Sequence, residues 1–333
     1  MDNGAVIPVT DTSTINNSAG SKTAGNDAVV GNSATISVES QHLLRLATYA
    51  SVSVAAVLIV FKFGAWVVTD SVSLLSTMID SMLDVLASLV NLIAIRHALQ
   101  PADREHRFGH GKAEPLAGLA QAAFISGSAV FLVLESAERL VQPKEVISTD
   151  IGLMVMVFSI VLTLALVGFQ RFVVAKTGSV AIKADSLHYQ TDVLVNLSVI
   201  VSLLLASKLG WTLADPIFAI GIVAYILWGA ISIGRSSLRF LMDHELPDED
   251  RTRIREISLS HAGVIDIHDL RTRSSGQQTF IQLHLEMDGN MSLFDAHEIS
   301  DAVELSLQGA FPTAEVLIHE DPEGVEEHRA EFE

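Results

Sequence analysis

The chain has 333 residues, 49% of them hydrophobic, with a mean hydropathy of +0.41 and a formal net charge of −18 at pH 7. It is too apolar for an ordinary globular protein and, with its acidic balance, a poor match for nucleic acid. Having no cysteine, it forms no disulfide or thiolate zinc site, so any metal must be held by His, Asp, Glu or backbone oxygen.

Residues 1–40 are rich in Ser, Thr, Asn, Gly, Ala and Val without helical periodicity, and are expected to be a disordered tail. The start has Asp2 and Asp11 but neither the basic opening nor the short apolar core of a signal peptide. Six apolar segments follow, each near the roughly 20 residues a bilayer requires: about Leu43 to Val68, Val72 to His97, Pro115 to Val141, Ile151 to Val174, Val180 to Ser207 and Pro216 to Ile233. Residues 41–240 are thus expected to be an all-α six-helix transmembrane domain. The bases between spans alternate. Arg45, Arg96, Arg104, Arg107, Lys112, Arg171, Lys176, Lys183, Arg235 and Arg239 fall on one side, against Lys62, Arg139, Lys144 and Lys208 on the other. The positive-inside rule then puts both termini in the cytoplasm.

After Asp243 the pattern becomes that of a small α+β domain, residues 241–322, in which acids far outnumber bases. Pro247 to Leu259 reads as a helix, with Asp248, Glu249 and Asp250 at its electropositive end. Val264 to Arg273 and Gln278 to Met287 read as strands joined at Ser274, Ser275 and Gly276. An amphipathic helix follows over Leu293 to Leu307, then a third strand over Ala314 to Asp321, giving a small sheet covered on one face by helices. Residues 323–333 are an expected acidic, solvated end.

Only the second and fifth spans carry acids deep inside. Asp80 with Asp84, and His188 with Asp192, are spaced i, i+4, which puts each pair on one helix face about 6 Å apart. A carboxylate at bilayer depth costs about 3 kcal/mol, so such groups normally face a cavity and carry function. Around them the second span has a polar stripe of Ser73, Thr77, Ser88 and Asn91, and the fifth adds Asp185 and Asn196. The hydroxyls and amides serve equally well as glue between helices. The four ionisable residues point to a transport site. One imidazole among three carboxylates suits Zn²⁺, with Cd²⁺, Fe²⁺ or Mn²⁺ also accommodated, whereas Ca²⁺ and Mg²⁺ prefer oxygen alone. Because His titrates near neutral pH, metal and protons compete there, the minimum chemistry of an antiporter.

Two further clusters lie outside the spans. Asp103, His106 and His110 are close together in the loop after the second span, where a metal site assembles with little loop-closure cost. In the C-terminal domain His284 is opposite in phase to Ile281, Leu283, Leu285 and Met287, and His319 and Asp321 share a strand face. His268 on the first strand and His297 on the helix complete a set able to bind one or two ions. A membrane metalloenzyme fits poorly: a His-Glu-x-x-His zinc motif would need a second His where His297-Glu298 is followed by Asp301, and Glu39 to His42 is the one Glu-x-x-His. A membrane-tethered sensor would not need Asp80 and His188 in the bilayer, and a passive channel would move metal without countermoving protons.

Several stretches in combination resemble the cation diffusion facilitator family, in particular its bacterial zinc–proton antiporters. They are Asp80-Ser-Met-Leu-Asp84, Gln100-Pro-Ala-Asp103 through Phe108-Gly-His110-Gly-Lys112-Ala-Glu114, Leu187-His188-Tyr189-Gln190-Thr191-Asp192, Asp269-Leu-Arg271-Thr-Arg273 and Ile318-His319-Glu-Asp321-Pro322. The resemblance spans about residues 42–322. It implies a homodimer in the inner membrane, a ferredoxin-like, metallochaperone-like cytoplasmic domain, and proton-coupled efflux of Zn²⁺ to the periplasm by alternating access. It also implies a transport site of Asp80, Asp84, His188 and Asp192, a linker site of Asp103, His106 and His110, and a two-metal cytoplasmic site of His268, His284, His297, His319 and Asp321. Finally, it implies a Lys112–Asp243 salt bridge holding the protomers together and Leu187 as part of a gate. Zn²⁺ would be both substrate and regulatory ligand, with no organic cofactor and no catalytic residue.

Overall fold

The computed structural model describes residues 38–69, 72–141, 150–209 and 214–325. The expected tail before residue 38, Lys144 and the acidic end beyond residue 325 lie outside the described residues. Six long helices come first: α1 (Val38–Thr69), α2 (Val72–Ala98), α3 (Ala113–Val141), α4 (Asp150–Thr177), α5 (Val180–Leu209) and α6 (Ala214–Leu241). The shortest has 27 residues, or about 40 Å at 1.5 Å per residue, enough to cross a hydrocarbon core of about 30 Å.

Among the described residues five of these helices are long and apolar enough to span a membrane, and α5 is the one that falls short. Its first half carries Lys183, Asp185, His188 and Asp192. The reason is its place in the bundle. It packs against α3, α4 and α6 and touches α1 and α2, so Ala181, Ile182 and the run Ala184 to Tyr189 are buried in protein rather than turned to lipid. Hydropathy scales score a helix against lipid, which α5 meets least. The α3–α5–α6 contact is built on small residues, Ala122 and Ala129 on α3 and Ala184 and Ala230 on α5 and α6, interleaved with Ile125, Leu187, Ile226 and Ile233. Small side chains let helix backbones approach closely where lipid gives no hydrophobic drive to associate. At the entry to α5, Ser179 accepts the N–H of Ile182, and the buried Glu114 of α3 accepts that of Val180. Two orphan donors of the helix start are thereby satisfied.

Five elements follow: α7 (Asp248–Leu259), β1 (Asp266–Ser275), β2 (Gln278–Met287), α8 (Leu293–Ala310) and β3 (Ala314–Pro322). This is the expected order. The sheet runs β1-β2-β3, with β1 and β2 antiparallel and β2 and β3 parallel. Ile281, Leu283, Leu285 and Met287 face inward onto Ile254 of α7 and Val303 and Leu307 of α8, while His284 points to the other face. Differences lie at the boundaries. The strand β1 continues to Ser275 rather than stopping at Arg273, which leaves Gly276 and Gln277 as the turn. Gly276 has φ +63, a left-handed value suited to glycine. Helix α8 runs a turn beyond Leu307, starting where Ser292 Oγ accepts the N–H of Asp295 at 3.2 Å.

Candidate metal sites

The transmembrane cluster is made where α2 meets α5. His188 Nε2 lies 3.0 Å from Asp84 Oδ1, and Asp192 follows one turn later on α5. One ligand atom from each of Asp84, His188 and Asp192 falls within 4.8 Å of the others. Four ligands around a tetrahedral Zn²⁺ at 2.0–2.1 Å stand about 3.3 Å apart, so a small contraction would close the three on an ion. Asp80 is not among them. It stands a turn nearer the start of α2 and is exposed in this chain; one helical turn of about 5.4 Å is enough to separate it.

Around this cluster the polar stripe, of which the Ser73 and Thr77 side chains lie outside the described residues, includes side chains bonded to other helices and side chains bonded within their own. Ser88 shares a 2.7 Å hydrogen bond with the hydroxyl of Tyr189, which donates to the carbonyl of Ser51. Asp185, fully buried, accepts from Ser51 Oγ at 2.6 Å, Gln170 Nε2 at 2.7 Å and Gln121 Nε2 at 3.2 Å. These bonds tie α1, α3 and α4 to α5 and act as the glue anticipated for polar residues in membranes. Asn196 donates to its own helix, at Asp192 O. Lys62, counted among linker bases, belongs to α1 and donates to Ser81 Oγ at 2.6 Å, beside Asp80 in sequence.

In the linker, Asp103, His106 and His110 also come within 4.8 Å. Asp103 Oδ1 accepts the N–H groups of Glu105 and His106 at 2.9 and 2.7 Å, an Asx turn that shapes the loop. The bond from His106 N–H in particular holds the Asp103 carboxyl below the usual carboxylate range, keeping it anionic. His106 Nδ1 and His110 Nε2 each lie 3.4 Å from that carboxylate. The loop is fastened to the β1–β2 hairpin. The Arg273 guanidinium lies over both Phe108 and Phe280, at 5.0 and 4.4 Å from the ring centres. Gly111 approaches so closely that a Cβ there would sit 2.2 Å from Ser275 O.

The cytoplasmic cluster follows from strand register. His268 pairs with His284 across β1–β2, and His284 with His319 across β2–β3, so three imidazoles stand in a row. Asp321 lies against all three: its Oδ2 is 2.8 Å from His284 Nδ1 and 3.0 Å from His268 Nε2, and its Oδ1 is 3.1 Å from His319 Nε2. Burial would raise the Asp321 pKa, but the His284 hydrogen bond and the neighbouring imidazoles pull it down further. The His268 approach is off the hydrogen-bond direction, leaving both its nitrogens buried without a bond, as donors prepared for an ion would be. His297 does not join. It sits on α8 facing Asp301 at 3.7 Å. Asp269, at a break in the β1–β2 register with φ +47, brings its carboxylate 3.8 Å from His284 Nε2. Asp269 stands in a sequence motif, but local pattern does not place it beside His284, because a bulge breaks the alternation used to assign faces.

Lys112 Nζ meets Asp243 Oδ1 at 2.9 Å, with Arg273 at 3.4 Å. The pair closes within one chain, joining the start of α3 to the turn after α6. Leu187 is buried against α6, where a Cβ on Gly229 would come within 2.7 Å of its Cδ2.

Residues 48–242 match the family model of the cation efflux transmembrane domain, and residues 246–323 that of the cation efflux protein cytoplasmic domain. The cation-efflux pump FieF of Pectobacterium atrosepticum is 49% identical over 284 residues, covering 84% of this chain and 94% of that protein. FieF of Yersinia pestis is 50% identical over 279 residues, covering 84% and 93%. The metal-bound C-terminal domain of the CzcD transporter from Thermotoga maritima is 30% identical over 24% of this chain and 93% of its own, at a TM-score of 0.23.

Proposed function

We propose a function that starts from one established point: the chain belongs to the cation efflux, or cation diffusion facilitator, family. It is a multi-pass membrane protein for metal cation efflux, a transporter rather than an enzyme, with a cytoplasmic domain of the dimer-forming kind. On our reading Zn²⁺ is the main substrate, with Cd²⁺ and Fe²⁺ accepted. It leaves the cytoplasm for the periplasm across the inner membrane in exchange for protons. The protein acts as a homodimer with both termini cytoplasmic.

The observation that carries this is the Asp84–His188–Asp192 cluster inside the bundle. An imidazole beside carboxylates favours a borderline ion over Ca²⁺ or Mg²⁺. Each ligand must shed its proton to bind metal and regains one when the metal leaves, so the two cargoes exclude each other. Because the ligands come from two helices, a small rocking of α5 against α2 opens or closes the site, which is what alternating access requires. Asp80 joins in a state in which α2 is turned or shifted by part of a turn, and Leu187, packed on Gly229, closes one side of the path. The linker and cytoplasmic clusters bind regulatory metal, with His297 entering the latter from the partner protomer. Lys112 and Asp243 stabilise the arrangement in which the protomers meet.

The test is Zn²⁺ uptake into proteoliposomes with a pH dye inside, comparing wild type with Asp84→Ala. Uptake mirrored by proton release, and absent in the variant, is expected. Zinc flux without a proton signal would make the protein a channel, and wild-type flux in Asp84→Ala would overturn the site.

A further inference from the structure

We infer that His97 is a fourth ligand of the linker site, completing with Asp103, His106 and His110 a closed site of three imidazoles and one carboxylate. This rests on the reading of the linker as a metal site.

His97 is in the last turn of α2, outside the loop motif that singled out the other three. The chain turns back after Ala98 and brings His110 against it: the two rings are 4.6 Å apart, centre to centre, and inclined at 63°. His106 lies 4.5 Å from the same His110 ring. His110 therefore touches two imidazoles and, through Nε2, the Asp103 carboxylate. It is buried, while His97 is exposed, so the His97 side chain has room to turn. An imidazole nitrogen stands roughly 1.1 Å from its ring centre, so rings this close can bring nitrogens to the roughly 3.3 Å that separates ligands of a tetrahedral Zn²⁺. In this chain His97 is outside the group within 4.8 Å, and a rotation about its χ angles is what joining the site demands.

The fourth ligand changes what the site does. Three protein ligands leave a coordination position for water and exchange, whereas four close the shell and hold the ion. His97 also lies on the helix that carries Asp84. An ion held by four ligands therefore ties the end of α2 to the segment that enters α3, so that linker occupancy bears on the motion of a transport helix.

The test uses the full-length chain in detergent, with Asp84→Ala and His188→Ala disabling the transmembrane site and His284→Ala and Asp321→Ala the cytoplasmic one. Zn²⁺ affinity is read by chelator competition, and the number of imidazole ligands by X-ray absorption at the zinc edge. His97→Phe keeps a ring against His110 but has no donor, and His97→Gln checks that the result does not depend on the aromatic replacement. Both are expected to weaken binding about tenfold or more and to lower the imidazole count from three to two. Unchanged affinity with two imidazoles in the parent would overturn the inference. If Asp103→Ala abolishes binding while both His97 variants keep it, the linker site stands and only the fourth ligand falls. If the parent binds no Zn²⁺, the linker reading fails with it.

Discussion

The transmembrane and cytoplasmic clusters use the same chemistry, imidazole beside carboxylate, on scaffolds of opposite stiffness. In the membrane, Asp84 faces His188 and Asp192 across a helix–helix contact, and among the described residues no main-chain hydrogen bond fixes the distance between α2 and α5. In the cytoplasm, His268, His284 and His319 are neighbours across hydrogen-bonded strands, whose spacing of about 4.8 Å varies little. The first geometry suits a site that must release its ion on each cycle. The second suits one that registers an ion and stays put. On the proposed roles, donor type alone does not separate a transport site from a sensing site; the element carrying the donors does.

That contrast can be broken most severely at Asp192. Asp192→Ala is expected to lower proteoliposome flux on the order of a hundredfold or more while zinc binding at the cytoplasmic cluster persists; loss of both would show one coupled site. Next in size, Leu285→Ala empties a fully buried position behind the cytoplasmic cluster and should destabilise that domain by about 2–5 kcal/mol. Thermal unfolding reads this, with zinc binding at Asp84 unaffected. His284→Ala, in full-length chain carrying Asp84→Ala, should weaken cytoplasmic binding about 10–100-fold by calorimetry. Unaltered binding would remove His284 from the site. Gly111→Ala should force the linker away from Ser275, seen as faster hydrogen exchange over residues 102–112 with the sheet still protected. The smallest effect concerns pH. Burial alone would raise the Asp243 pKa, but the Lys112 hydrogen bond and charge, with Arg273, outweigh it and lower it. The stabilisation is therefore fully present above the ordinary carboxylate range and is lost as pH falls through the lower folded value. Lowering the pH below about 4 should loosen the linker–hairpin contact in the wild type and have less effect in Asp243→Asn.

Much of this was legible from local pattern. Alternation along β2 put His284 on the face opposite Leu283 and Leu285, and helical spacing put His188 and Asp192 together. Local pattern failed where distance along the chain did not translate into distance in space. Asp80 and Asp84 share a helix face, yet it is Asp84 that lies 3.0 Å from His188. Asp185 lies in the same helix as His188 but bonds to Ser51, Gln121 and Gln170 on three other helices. The approach of Asp269 to His284 was hidden by a bulge, and that of His97 to His110 by the turn that follows α2.

The sequence by itself determined the elements, their order, the donor residues and the family, because helix and strand periods, residue chemistry and motif spacing are properties of neighbours along the chain. Only the tertiary structure decided that α5 sits within the bundle, that Asp84 of α2 meets His188, that Lys112 meets Asp243 in the same chain, and that three histidines from separate strands align beside Asp321. Those outcomes depend on how side chains from distant segments pack and on which strand register buries the apolar face. The free energy of that packing belongs to the assembled molecule, and no window of the chain contains it.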